Sequence, residues 1–197
     1  MVLEWFRTRS RKRRIAHDLY GSIVARARSP ELYTDMGVPD SVMGRLELIV
    51  LHLALLIERL QSEGEAGIRL AQEVAEAFVS DMDDSIREIG IGDMGVPRRV
   101  KQAAGALFER RREIAAILAE HSDDQGTLLD AMTAFVGRLI WAGRPIDQPC
   151  ARRLAAYVLG LRGALADNPL AALAEGRLDL STAPTGGATR LKEMRHG

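Results

Sequence analysis

One cysteine in 197 residues leaves Cys150 with nothing to pair with inside the chain. That excludes a disulfide framework and a cysteine-based metal site, and it suits a reducing compartment. Aromatic residues are scarce at 5%, while Leu, Ala, Arg and Glu dominate, a balance that favours helices over sheet. Long hydrophobic runs are missing as well. Apolar runs such as Ile49–Leu51 and Leu53–Ile57, split by His52, fall far short of the ~20 residues a spanning helix needs. A signal peptide is not expected, because Trp5 and Phe6 precede the N-terminal basic run and no apolar stretch follows it. Helical patterning from Ile15 leaves little room for a transit peptide.

Net charge is absent too, but only in the sum, since 27 basic residues balance 27 acidic ones. Residues 7–14, RTRSRKRR, hold six Arg/Lys and no acid. With Glu4 included, the first fourteen residues carry +5 and the rest of the chain −5. A basic tip on an acidic body calls for an anionic partner. Trp5 and Phe6 beside Arg7, Arg9, Arg11, Lys12, Arg13 and Arg14 join an apolar anchor to a polybasic segment, a pairing that suits an anionic membrane surface. The same cations could bind RNA phosphates or remain solvated.

The length fits one domain, or one plus a tail, at ~100–200 residues per domain. The expected architecture is an all-α, single-domain bundle of about six to seven helices joined by short Gly/Pro turns. It divides into an anchor segment at 1–14, a helical domain at 15–180 and a Ser/Thr/Pro/Gly-rich, disordered tail at 181–197. The first helix carries Ile15, Leu19, Ile23 and Ala27 and ends near Ser29. The next runs over about 39–62, with Pro39 at its start. Leu46, Ile49, Val50, Leu53, Leu56, Ile57 and Leu60 share one face of it. Leu48, Leu51 and Leu55 form a second apolar strip, which is either sandwiched in the core or shown to a partner. His52 at the strip's edge reads as structural. A third long helix, about 65–89, carries Ala71, Val74, Phe78, Met82, Ile86 and Ile89.

The pentapeptide DMGVP occurs twice, at 35–39 and 93–97, each time where a long helix is expected to begin. After the second copy, Arg98, Arg99 and Lys101 occupy a first helical turn, where cations oppose the helix dipole at a cost of ~0.3–1 kcal/mol each. Compensation from the nearby Asp81, Asp83 and Asp84, or from an external anion, is expected. Arg110, Arg111 and Arg112 make the same helix basic in its middle. Ser122 to Gln125 reads as a capping box for a helix bearing Leu128, Met132, Phe135, Val136 and Ile140. Trp141 falls off that stripe and is expected to be exposed. Pro149 begins a further helix with Cys150, Leu154, Tyr157, Val158 and Leu161 inward, so Cys150 is read as packing.

No arrangement of residues supports catalysis. His17, His52, His121 and His196 are far apart, and no Ser sits in a nucleophile elbow. The Gly-rich turn GIGDMGVP fits neither a Walker A nor a dinucleotide fingerprint, and no strand precedes it. Asp81, Asp83 and Asp84 lack calcium-loop spacing. No catalytic residue, metal or cofactor is assigned. An enzyme would need distant residues to converge in a deep pocket.

Three segments together resemble the ubiquinol–cytochrome c chaperone family. They are YGSIVARAR at 20–28; YTDMGVPD at 33–40, with Gly44-Arg45 and Leu51-His52-Leu53; and Asp81-Met82-Asp83 followed by REIGIGDMGVP at 87–97. The likeness spans roughly residues 15–165. It implies an all-helical assembly factor for the cytochrome bc1 complex, not an enzyme, whose client is a hydrophobic cytochrome b-like protein. It also implies a possible small partner protein and, in mitochondrial relatives, ribosome association. The motif residues map onto Asp81, Asp83, Arg87, Glu88, Gly90, Gly92, Asp93, Gly95 and Pro97, with a structural or interaction role. The expected placement is cytoplasmic, at the inner-membrane surface. Leu48, Leu51, Leu55 and Trp141 are the candidate client patch. Trp5, Phe6, the six cations of 7–14, Arg98, Arg99 and Lys101 are the candidate anion contacts. The alternative is a ribosome- or RNA-binding module using the basic tip and the Arg-rich helix.

Overall fold

In the computed structural model the backbone is described over residues 2–88 and 96–184, with side chains from Ser10 onward in those ranges. Among the described residues there are eight helices and no strand. They are α1 (Val2–Ala27), α2 (Pro30–Thr34), α3 (Val42–Gln61), α4 (Gly64–Glu88), α5 (Val96–Glu120), α6 (Gln125–Ile140), α7 (Gln148–Ala166) and α8 (Leu170–Leu173). Six are long. The short stretch around Leu32 closes into a turn of helix of its own, since Pro30 sits favourably in its first turn.

α3 is the axis of the bundle. It packs against α1, α4, α5, α6 and α7, and both of its apolar strips are buried from Leu48 to Ile57. A helix apolar on two sides settles in the middle of a fold, because leaving either strip in water forfeits its burial free energy. The helix begins at Val42, three residues after Pro39, because the Ser41 hydroxyl accepts the Gly44 N–H at 3.1 Å and caps it there. After the second DMGVP copy Arg98 and Arg99 stand in place of Asp40 and Ser41, and there Val96 and Pro97 are already helical, whereas Val38 and Pro39 are not. The pentapeptide thus leads into its two helices differently. Val38 and Val96 are buried in both copies, and the residues from 89 to 95 lie outside the described part.

Caps depart from expectation elsewhere. Asp124, not Ser122, caps α6 by accepting from the N–H groups of Gly126 and Thr127, and Asp147 caps α7 through the Cys150 N–H. The segment after α8 is tied back. Asn168 donates to the carbonyls of Ala164 and Asp179 and accepts from the Asp179 N–H. Ala183 is buried, and the Pro184 carbonyl accepts from Arg26 at 2.6 Å. Ala183 and Pro184 are therefore held against the bundle inside the stretch expected to be a disordered tail, Ser181 and Thr182 are exposed, and 185–197 lie outside the described residues. The expected boundary at residues 14–15 falls inside α1, which is unbroken from Val2.

Candidate interaction surface

The expected client patch does not exist as a surface. Leu48, Leu51 and Leu55 are at most 1% exposed because α3 is sandwiched. Trp141 is 6% exposed: it caps the C-terminus of α6 and lies close to Gly37 in the first Gly-Pro corner. The periodicity of α6 put Trp141 off the stripe correctly, but another element covers that side. Among the described residues the exposed large apolar side chains are Val42, Met43, Ile68, Phe108 and Ile146. Phe108, 60% exposed, follows the buried Leu107 and so stands about 100° away from the core stripe of α5. Helical register places Lys101, Arg112, Ala115 and Ala119 on its side of the helix, all exposed. That signal was present in the sequence, one residue beyond the stripe Val100, Ala103, Leu107, Ile114 and Leu118.

Charge is distributed unevenly. Most cations of the bundle have internal partners: Arg26 with Glu31, Arg59 with Glu63, Arg87 with Asp83, Arg138 with Glu113 and Arg152 with Asp130. Arg110 reaches Glu47 on α3, and Arg111 donates to Gln61 at 2.7 Å. The arginine run of α5 is therefore largely turned inward, leaving Arg112 exposed. Arg98, Arg99 and Lys101 are exposed and make no ion pair with a described residue. The expected neutralisation by the Asp cluster is not seen there. Asp81 instead accepts from the Tyr20 hydroxyl at 2.7 Å, and Asp83 holds Arg87 at 2.7 Å. Of the other motif residues, Glu88 ends α4 exposed and Pro97 is exposed in α5. Gly90, Gly92, Asp93 and Gly95 lie outside the described residues, as do the side chains of Trp5, Phe6, Arg7 and Arg9.

The buried polar centre is closed. His52 is fully buried. Its Nδ1 lies 2.7 Å from the Leu48 carbonyl, which can only accept, so Nδ1 carries the proton and Nε2 accepts from the Tyr157 hydroxyl at 2.6 Å. Burial drives the His52 pKa down to about 4 and pushes the Tyr157 phenol up to about 12. Arg26 lies over the Tyr157 ring, 5.2 Å from its centre. Every polar atom of the two rings is spoken for, which leaves none free for a substrate. Cys150 is half-buried; its Sγ accepts from Arg153 at 2.9 Å, and burial followed by the Asp147 hydrogen bond raises its pKa, away from a reactive thiolate. An open depression of about 600 Å³ lies beside α8, lined by Ser22, Asn168, Arg177 and Asp179 among others. Asn168 and Asp179 are tied to each other through the backbone there. Among the described residues no group of three or more His, Cys, Asp or Glu is placed to hold a metal.

What the geometry offers is surface: a Phe108 face with flanking cations, and a basic N-terminal helix on an acidic bundle whose arginines are mostly paired. The model of the ubiquinol-cytochrome C chaperone family matches residues 34–181, covering α3 to α8. Among curated proteins no relative matches. The crystal structure of the Cbp3 homolog from Brucella abortus is similar at 36% sequence identity and a TM-score of 0.75, over 93% of this chain and 100% of that one. With the family match spanning well over half its length, the chain belongs to the ubiquinol–cytochrome c chaperone family.

Proposed function

We propose that the protein is a non-enzymatic assembly chaperone of the cytochrome bc1 complex, holding a newly made cytochrome b-like subunit until its partners arrive. The observation that carries this reading is the family match over residues 34–181. The likeness to the Cbp3 homolog over that protein's whole length supports it. The client surface is the outer face of α5 around Phe108, flanked by Lys101 and Arg112, because exposed aromatic surface of this kind is where a hydrophobic partner gains most. A small partner protein would share the client or cover part of that face. The working place is the cytoplasmic side of the inner membrane, peripherally attached. No described helix is long and apolar enough to cross a bilayer.

The RNA-binding alternative needs the middle of α5 as a free basic surface, and the inward pairing of Arg110 and Arg111 counts against it. The test of the main reading is a deletion strain complemented with a tagged copy. Cytochrome b should co-purify with the tagged protein from detergent extract, and the b-type haem absorbance of the bc1 complex should fall in the deletion. Normal haem b levels together with no cytochrome b in the pull-down would refute the reading.

A further inference from the structure

α1 is longer than the bundle needs. Its buried residues begin at Ile15 and recur at Ala16, Leu19, Tyr20, Ile23 and Ala27. The five before them, Ser10 to Arg14, are all exposed. Five successive helical residues sweep about 500°, more than a full circuit, so no side of the helix rests on the bundle there. The helical backbone continues from that point back to Val2, a further ~12 Å. Four of the five exposed residues are cations, Arg11, Lys12, Arg13 and Arg14, and none of them makes an ion pair or side-chain hydrogen bond with a described residue. The bundle below does the opposite, pairing its arginines internally while carrying the chain's acidic excess.

We propose that residues 2–14 form a helical arm that lies along an anionic phospholipid surface and holds the acidic bundle off the bilayer. Arg11, Lys12, Arg13 and Arg14 have no partner among the described residues to leave, so their charge is available to lipid phosphates. The acidic body is repelled by the same surface, and the molecule sits with its arm down. Because α1 continues without a break into the core, the arm fixes the orientation of the bundle and does not merely tether it. A bilayer is favoured over RNA by composition: the same helix opens with Val2, Leu3, Trp5 and Phe6, which an acyl boundary takes up and a phosphate backbone does not need. This deepens the membrane placement proposed above and does not depend on the identity of the client.

The test is flotation of the full chain with vesicles of equimolar phosphatidylglycerol and phosphatidylcholine, and with phosphatidylcholine alone. The chain should float with the anionic vesicles only, and added salt should release it. A variant carrying Arg11→Glu, Lys12→Glu, Arg13→Glu and Arg14→Glu should lose binding by roughly tenfold or more, with unchanged helical circular dichroism because these side chains are exposed and bond to no described residue. A second variant with glutamine at the same four positions guards against repulsion alone, and it should also bind weakly. Equal flotation of wild type and the glutamine variant, equal flotation with phosphatidylcholine alone, or binding to RNA without binding to anionic vesicles would each overturn the proposal. Client capture from detergent extract should be retained by both variants. Its loss along with flotation would assign the arm to the client and not to lipid, while failure of client capture by the wild type would count against the chaperone reading alone.

Discussion

His52 is the clearest case of one residue controlling stability through its protonation state. The folded chain holds it neutral, with burial as the main cause and the Arg26 charge adding to it, so its pKa is about 4 where an unfolded chain would show about 6.5. Between those values the unfolded chain takes up a proton that the folded chain refuses. Stability is therefore at its full value above pH ~6.5 and fades as the pH falls towards 4, by on the order of 3 kcal/mol. Denaturant midpoints at pH 7 and pH 4.5 measure this. His52→Gln should start lower, having lost a fitted pair, yet show a visibly shallower decline with acid; an unchanged slope would exonerate the histidine. The sequence carried half of this argument. His52 stood at the edge of an apolar strip of a two-faced helix, which is enough to read it as structural. Its partner Tyr157 lies 105 residues away, a pairing that one helix's periodicity has no means to show.

At the scale of elements, two contacts decide how helices are held. Tyr20 on α1 and Asp81 on α4 join helices far apart in the chain, and Tyr20 also meets Phe78 edge-on with ring centres 6.1 Å apart. Asp81→Ala should cost about 1.5–3 kcal/mol, since a buried hydroxyl loses its charged acceptor. Asp81→Asn keeps an acceptor oxygen and should cost less, which thermal unfolding of the two variants can rank. A family-motif carboxylate is thereby given a fold-shaping task, although its neighbour Asp83 only pairs along its own helix. The second contact is Asn168, which clamps the run after α8 at Asp179 while its own carbonyl accepts from Arg59. Asn168→Ala should free residues 178–184, and limited proteolysis should then cut there well before the bundle, with little change at α3. Helix existence and order were legible from apolar spacing. Starts were less so, because a cap is decided by which side-chain oxygen reaches an N–H: Ser41 displaced Pro39 as the start of α3, and Asp124 displaced Ser122. Packing of Ala183 and Pro184 was hidden for a related reason, since a polar composition says nothing of an arginine waiting at Arg26.

For the whole molecule, the question is which apolar residues build the chaperone and which could serve it. Leu48, Leu51 and Leu55 looked equally suited to either role because a single helix cannot reveal how many neighbours it has; α3 has five, and that number consigns the strip to the core. Leu51→Ala should then behave as a core truncation, costing about 2–5 kcal/mol and lowering Tm by roughly 4–20 °C in a chain of this size. Phe108→Ser should leave stability within about 0.5 kcal/mol, as befits an exposed position without an internal partner. The two variants separate folding from function in the deletion strain. If α5 carries the client, Phe108→Ser lowers cytochrome b capture and b-type haem while the protein stays folded and abundant, whereas Leu51→Ala loses both through loss of the protein itself. Undiminished capture by a folded Phe108→Ser variant would remove the α5 face from the chaperone's working surface and direct attention to the exposed Val42 and Met43 at the head of α3.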